Sequence, residues 1–121
     1  WRFPLGQNFG RGQKVEYDVN DANWTAIIEY WFNENKKYKF GKIGFDYQTS
    51  GHYTQLIWAD TEYIGCGFNS HSNGDEESVY EVEEIYVCHY GPRGNLLGRF
   101  PYESAPKNVI RSDNAEDYLY Y

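Results

Sequence analysis

The sequence predicts a single α+β domain, and three observations predict it: one segment has a helical apolar period, two later segments read as strands flanking a turn-rich loop, and aromatic rings supply the apolar mass. At 121 residues the chain is one domain's worth of polypeptide. Leu, Ile and Val together number 18, whereas Trp, Tyr and Phe number 4, 13 and 7, so burial must come from large rings that each cover much area.

Trp1 to Gly12 is rich in Gly and Pro and has no apolar period, which reads as extended or loop structure. Trp24, Ile27, Ile28 and Trp31 then fall at i, i+3, i+4 and i+7, with Asn20 or Asp21 ahead of them as N-cap candidates. That spacing predicts a helix over about Asp21–Lys37. Gly41–Gly51 reads as a loop, and Thr49 or Ser50 is placed to cap a short helix from His52 to about Ala59, its apolar face made of Tyr53, Leu56 and Ile57. Glu62–Phe68 predicts a strand, Asn69–Asp75 a hairpin loop and Ser78–Tyr90 a second strand. The hairpin would bring Cys66 and Cys88 opposite each other, so that a disulfide closes the loop between them. Gly91–Asn95 reads as a turn, Leu96–Tyr102 as a further short strand, and Asp113–Tyr121 as a polar, Tyr-rich tail.

Charge narrows the partners. The net charge is -7, and between Ile43 and Pro92 there is no Lys or Arg while nine carboxylates are present, from Asp46 to Glu84. A phosphate backbone is excluded as a partner for that half. No apolar run exceeds four residues, so no transmembrane helix is expected. The chain opens on Trp1 without a signal-peptide profile, which reads as a processed or trimmed product. Asn23-Trp24-Thr25 is an N-glycosylation triplet, and together with the cysteine pair it fits a secreted, extracellular protein.

Two polar residues break the pattern around them. Glu34 follows Trp31 by three residues and continues the apolar stripe, where a carboxylate wants a partner. The alternative is that the helix has ended by then and Glu34 reaches water. His52 occupies the first turn of a helix, where the dipole favours the neutral ring that ligates metal or accepts a proton. Its alternative is a hydrogen-bonded capping role. His71 reads as a solvated loop residue and His89 as a structural hydrogen bonder. No His-x-His or Cys-x-x-Cys pair is present, so spacing alone makes a weak case for metal.

Longer stretches match a known pattern. Gly51-His52-Tyr53-Thr54-Gln55-Leu56-Ile57-Trp58-Ala59-Asp60-Thr61, then Gly65-Cys66-Gly67, then Tyr86-Val87-Cys88-His89-Tyr90-Gly91-Pro92-Arg93-Gly94-Asn95, resemble both signatures of the CAP superfamily, the cysteine-rich secretory, antigen 5 and pathogenesis-related proteins. The insect-type antigen 5 or venom allergen branch is the most similar. Trp31 to Tyr38 is similar to the family's Trp-x-x-Glu helix, and Gly6-Gln7-Asn8 to the segment that precedes it.

The resemblance implies a three-layer α-β-α sandwich with a central antiparallel sheet, here without its N-terminal helical segment. Residues 1–103 would form a truncated domain of this kind, and residues 104–121 a C-terminal extension. It implies a central cleft of two histidines and two acids, in which His52 matches the second histidine and the metal ligand, Glu34 the second acid, and Gln7 stands where the first acid is often Glu. The first histidine belongs to a segment upstream of Trp1, so a fragment of the same protein is an expected partner. The expected function is a secreted, non-enzymatic binder of a small apolar ligand, a sterol or fatty acid. No cofactor is required, with Zn2+ as an optional cleft ligand. The competing expectation is a hydrolase using Glu34 and His52.

Overall fold

A computed structural model describes residues 3–14, 22–46, 49–72, 74 and 82–103. In chain order these form strand β1 (Gly6–Lys14), helix α1 (Trp24–Phe32), a 3-10 turn (Asn33–Lys37), helix α2 (Gly51–Leu56), and strands β2 (Tyr63–Ser72) and β3 (Val82–Gly91). The sheet runs β1-β3-β2 and is antiparallel throughout.

β3 carries the core because its alternation is complete. Val82, Glu84, Tyr86, Cys88 and Tyr90 are buried on one face, while the residues between them stand on the other. Onto the buried face α1 sets Ile27 and Trp31, and Trp24 meets Tyr86 edge-on at 5.0 Å. Gly10 on β1 permits this approach, since a Cβ there would lie 2.9 Å from Ile27 Cδ1. Ile28, expected on the same stripe, is 44% exposed. The stripe is therefore narrower than its spacing implied, because α1 touches the sheet along the Trp24, Ile27 and Trp31 line alone. Cys66 and Cys88 are direct cross-strand partners and are disulfide-bonded.

Several boundaries differ from the sequence expectation, each for a tertiary reason. Asn23, rather than Asn20 or Asp21, caps α1: its Oδ1 accepts from the Ala26 N–H at 3.1 Å, while its own N–H donates to the Tyr86 hydroxyl at 2.8 Å. α1 tightens into the 3-10 turn at Asn33 instead of running to Lys37. The Gly-rich N-terminal stretch is strand β1, because β3 pairs with it from Gly6 to Lys14. Asn69–Ser72, expected in the hairpin loop, belong to β2 for the same reason: each has a partner on β3, and ladder pairing overrides turn propensity.

His71 is accordingly a strand residue. α2 ends at Leu56, earlier than Ala59, and its cap Ser50 makes no side-chain capping bond. Leu96–Tyr102 is not a strand. Gly98 turns at φ 79°, and the segment is clasped by Ile43, whose N–H donates to Arg99 and whose carbonyl accepts from Gly98. The expected start of the second strand at Ser78 and the tail beyond Glu103 lie outside the described residues.

Candidate functional site

Glu34 and His52 meet where the turn after α1 faces the first turn of α2. The His52 Nδ1–H donates to Glu34 Oε2 at 2.7 Å, and the Tyr53 backbone N–H donates to Glu34 Oε1 at 3.1 Å. Because a carboxylate only accepts, the proton sits on Nδ1 and the lone pair of a neutral ring sits on Nε2. Among the described residues nothing bonds to that Nε2. The imidazole is 36% exposed and the carboxylate 16%. α1 has ended before Glu34, yet the side chain turns inward to a partner.

Three supports hold the pair in place. Trp31, wholly buried, lies nearly parallel to the His52 ring, with centroids 6.0 Å apart and planes 20° apart. Asn8, 1% exposed, donates from Nδ2 to the His52 carbonyl and to the Tyr90 hydroxyl, both at 3.1 Å. The turn after β3 then grips α2. Asn95, at φ 53°, accepts from Thr54 and donates to the Gly51 carbonyl, while Gly94 N–H donates to Gln55 and Thr61 donates to the Pro92 carbonyl. The two longest matched stretches of sequence are thus bonded to each other in space. The sequence reading missed Asn8 and the stacking role of Trp31. No local signal marked Asn8, because its inward parity opposite to Gln7 exists only once β1 pairs with β3.

The remaining candidates lie elsewhere. Gln7 is exposed, and its Oε1 accepts from His89 Nε2 at 3.0 Å on the sheet face opposite the helices. It does not join Glu34 and His52, because neighbouring residues of a strand point to opposite faces and Asn8 takes the inward one. His71 pairs with Glu83 at 3.2 Å on that same outer face. Zinc sites want about three protein donors. Here His52 Nε2 is one, both Glu34 oxygens are engaged, and no group of three metal-binding side chains exists among the described residues. These residues alone do not fit a zinc site.

A second feature borders α2. Phe40, Phe100 and Tyr102 stand together, Phe40 stacked on Phe100 at 5.2 Å and tilted against Tyr102 at 5.0 Å. With Pro101, Asp60 and Arg99 they line an open trough of about 600 Å³. The rings are 39–46% exposed. A separate aromatic run lies beside the Glu34–His52 pair, where Tyr38 and Tyr53 meet edge-on at 5.3 Å and Tyr53 meets Phe32 at 5.5 Å. Burial, reinforced by Tyr102 and Tyr53, pushes the Tyr38 phenol up to about 12, and burial raises Tyr53 as well.

Comparison with known proteins supplies the context. Residues 2–90 match the family model of CAP, the cysteine-rich secretory protein family. Salivary antigen-5 of Triatoma infestans is 42% identical over 103 residues, covering 82% of this chain and 41% of its own length. Venom allergen 5 of Polistes fuscatus is 37% identical, covering 84% of this chain and 46% of its own length. Among solved structures, BmVAL-1 superposes with a TM-score of 0.66 at 29% identity, and NaASP2 with Zn2+ with 0.63 at 28%, each over 84% of this chain and 50% of theirs. The chain therefore spans about half the length of the relatives it matches.

Proposed function

We propose, from the premise that this chain belongs to the CAP family of cysteine-rich secretory proteins, that it is a secreted binding module with the aromatic trough as its ligand site. The observation that carries this reading is the set of three part-exposed rings, Phe40, Phe100 and Tyr102, gathered around about 600 Å³ of open space. That volume lies within the ordinary range of small-molecule sites, and rings left at a surface retain apolar area that a ligand would cover. The disulfide and the exposed Asn23 support secretion. Asn23 uses Oδ1 as the helix cap, which leaves Nδ2 for a glycan. The test is a binding survey with neutral, anionic and cationic apolar probes. Saturable binding that Phe40→Ala with Phe100→Ala abolishes is expected, and no probe saturating in the wild type would refute it.

The hydrolase reading draws on the Glu34–His52 hydrogen bond, which has the form of a base and its orienting carboxylate. Glu34 is committed to His52 and Tyr53, so its chemistry would be orientation rather than proton abstraction. For zinc, His52 Nε2 is a single donor, and firm binding needs donors from polypeptide outside the described residues. Calorimetry should show zinc affinity no tighter than micromolar for this chain. A tight one-to-one isotherm that His52→Ala abolishes would overturn that expectation.

A further inference from the structure

The turn after β3 leaves one side chain without a bracing role. Across Gly91–Asn95, the Gly91 carbonyl accepts from the Glu62 N–H, the Pro92 carbonyl accepts from Thr61, the Gly94 N–H donates to Gln55, and Asn95 is bonded to Thr54 and Gly51. Arg93 contributes only its backbone N–H, to the Pro4 carbonyl. Its exposed guanidinium makes neither a hydrogen bond nor an ion pair among the described residues, whereas Arg11 and Arg99 are paired with Glu83 and Asp60. That guanidinium borders a hollow of about 590 Å³ between the start of β1 and this turn. Among the described lining residues Arg93 alone is charged. Leu96 and Leu97, the latter 54% exposed, supply an apolar wall. Gln7 spends its Oε1 on His89, which leaves its Nε2 donors for a ligand. Gln55, 1% exposed and held by Gly94 and Thr61, borders the same space as a fixed amide, and a Cβ on Gly6 would strike it.

We propose that this hollow takes the C-terminal carboxylate of a peptide that ends in an apolar residue. The Arg93 fork meets both carboxylate oxygens, Leu96 and Leu97 cover the last side chain, and Gln7 donates to the last peptide carbonyl. A free acid of the same size would leave Gln7 unused, and a phosphate would leave the leucines uncovered. The net charge of -7 repels anions at long range, and salt screens it beyond about 8 Å at physiological ionic strength, so the contacts around Arg93 decide the sign of the ligand. The hollow shares no lining residue with the aromatic trough, so either site can fail alone.

The experiment is an NMR titration of the whole chain, in physiological salt, with acetyl-Ala-Leu, its C-terminal amide and isovalerate. The peptide acid should bind saturably, shift the Gly6, Gly94 and Leu97 amides, and bind about tenfold more tightly than the neutral amide, the margin expected of hydrogen bonds to a charged group. Arg93→Gln should erase that margin with an unchanged thermal midpoint, because the guanidinium braces nothing, and Leu97→Ser should weaken acid and amide alike. Equal binding of acid and amide, a margin that survives Arg93→Gln, or shifts confined to the Phe40 and Phe100 rings would overturn the site. Isovalerate binding as tightly as the peptide would overturn the peptide assignment while keeping Arg93 as a carboxylate site. No saturable binding of any of the three probes would overturn both.

Discussion

Two histidine–glutamate pairs in this protein invite comparison. His52–Glu34 closes at 2.7 Å, with a ring stacked on Trp31 and a carboxylate whose second oxygen takes a backbone N–H. His71–Glu83 spans 3.2 Å on the open face of the sheet, and Arg11 lies 3.9 Å from the same Glu83 oxygen. In the second pair the side chains are 45% and 28% exposed, against 36% and 16% in the first. The same residue types thus make a positioned group in one place and a solvated hydrogen-bonded pair in the other. What separates them is the number of additional contacts that fix each member and exclude water.

The two faces of the sheet extend that contrast. Toward the helices, polar side chains are buried and bonded: Asn8 to His52 and Tyr90, and Glu84 to Lys14 at 3.1 Å and to the Tyr86 hydroxyl at 3.3 Å. On the outer face, Gln7–His89 and Arg11–Glu83 pair in contact with water. Removing a partner leaves an unsatisfied buried group in the first case and a solvated one in the second.

The largest break in this comparison should come from Trp31→Ala. Losing a fully buried ring costs about 3–5 kcal/mol and removes the platform beneath His52. Urea unfolding measures it, and a loss below about 1 kcal/mol would mean that the ring is not the keystone of the helix-covered face. Next is the disulfide, which joins cysteines 22 residues apart. Converting both to Ser should cost about 3 kcal/mol on the chain-entropy account, with the antiparallel register retained in cross-strand NOEs.

The sharpest test sets Glu34→Gln beside Glu83→Gln. An amide at position 34 can serve one of its two donors but not both, so a loss of about 1–3 kcal/mol is expected. The change at position 83 should stay within about 0.5 kcal/mol. Equal losses would erase the distinction between the pairs. The smallest effect appears only in alkali. Tyr38, Tyr53, Tyr86 and Tyr90 are all raised by burial, Tyr38 to about 12 from an ordinary value near 10. A raised folded-state pKa contributes stability that is fully present below about pH 10 and is lost as pH climbs toward about 12. Tyr38→Phe should flatten part of that decline, and an unchanged pH slope would show that its hydroxyl is not buried in solution.

Much of the fold was legible because its signals are local. The α1 stripe is written as Trp24, Ile27 and Trp31, whereas the buried parity of β3 is not, because Ile85 and Val87 alternate with the buried Tyr86 and Cys88 and the buried set includes Glu84. Cys66 and Cys88 flank a loop rich in turn residues and end as register partners. Glu34 and His52 stood out as polar residues in apolar positions or matched motifs, and the structure brings them into contact. β1 was not legible as a strand, since a Gly-rich segment acquires that state only when β3 offers it a ladder.

By itself, then, the sequence determined the α+β class, the helical period of α1, the pair of strands around Cys66 and Cys88, the acidic field and the family, since all of these are properties of neighbouring residues or of contiguous motifs. Tertiary structure alone decided that Gln7 faces away from His52 while Asn8 faces toward it, that Asn23 rather than an earlier residue begins α1, and that Phe40 joins Phe100 and Tyr102 in one trough. The physical reason is the same in each case. Strand parity is decided by which face the helices cover, a cap by which amide and hydroxyl lie within reach, and a binding surface by side chains that chain folding brings together from distant segments.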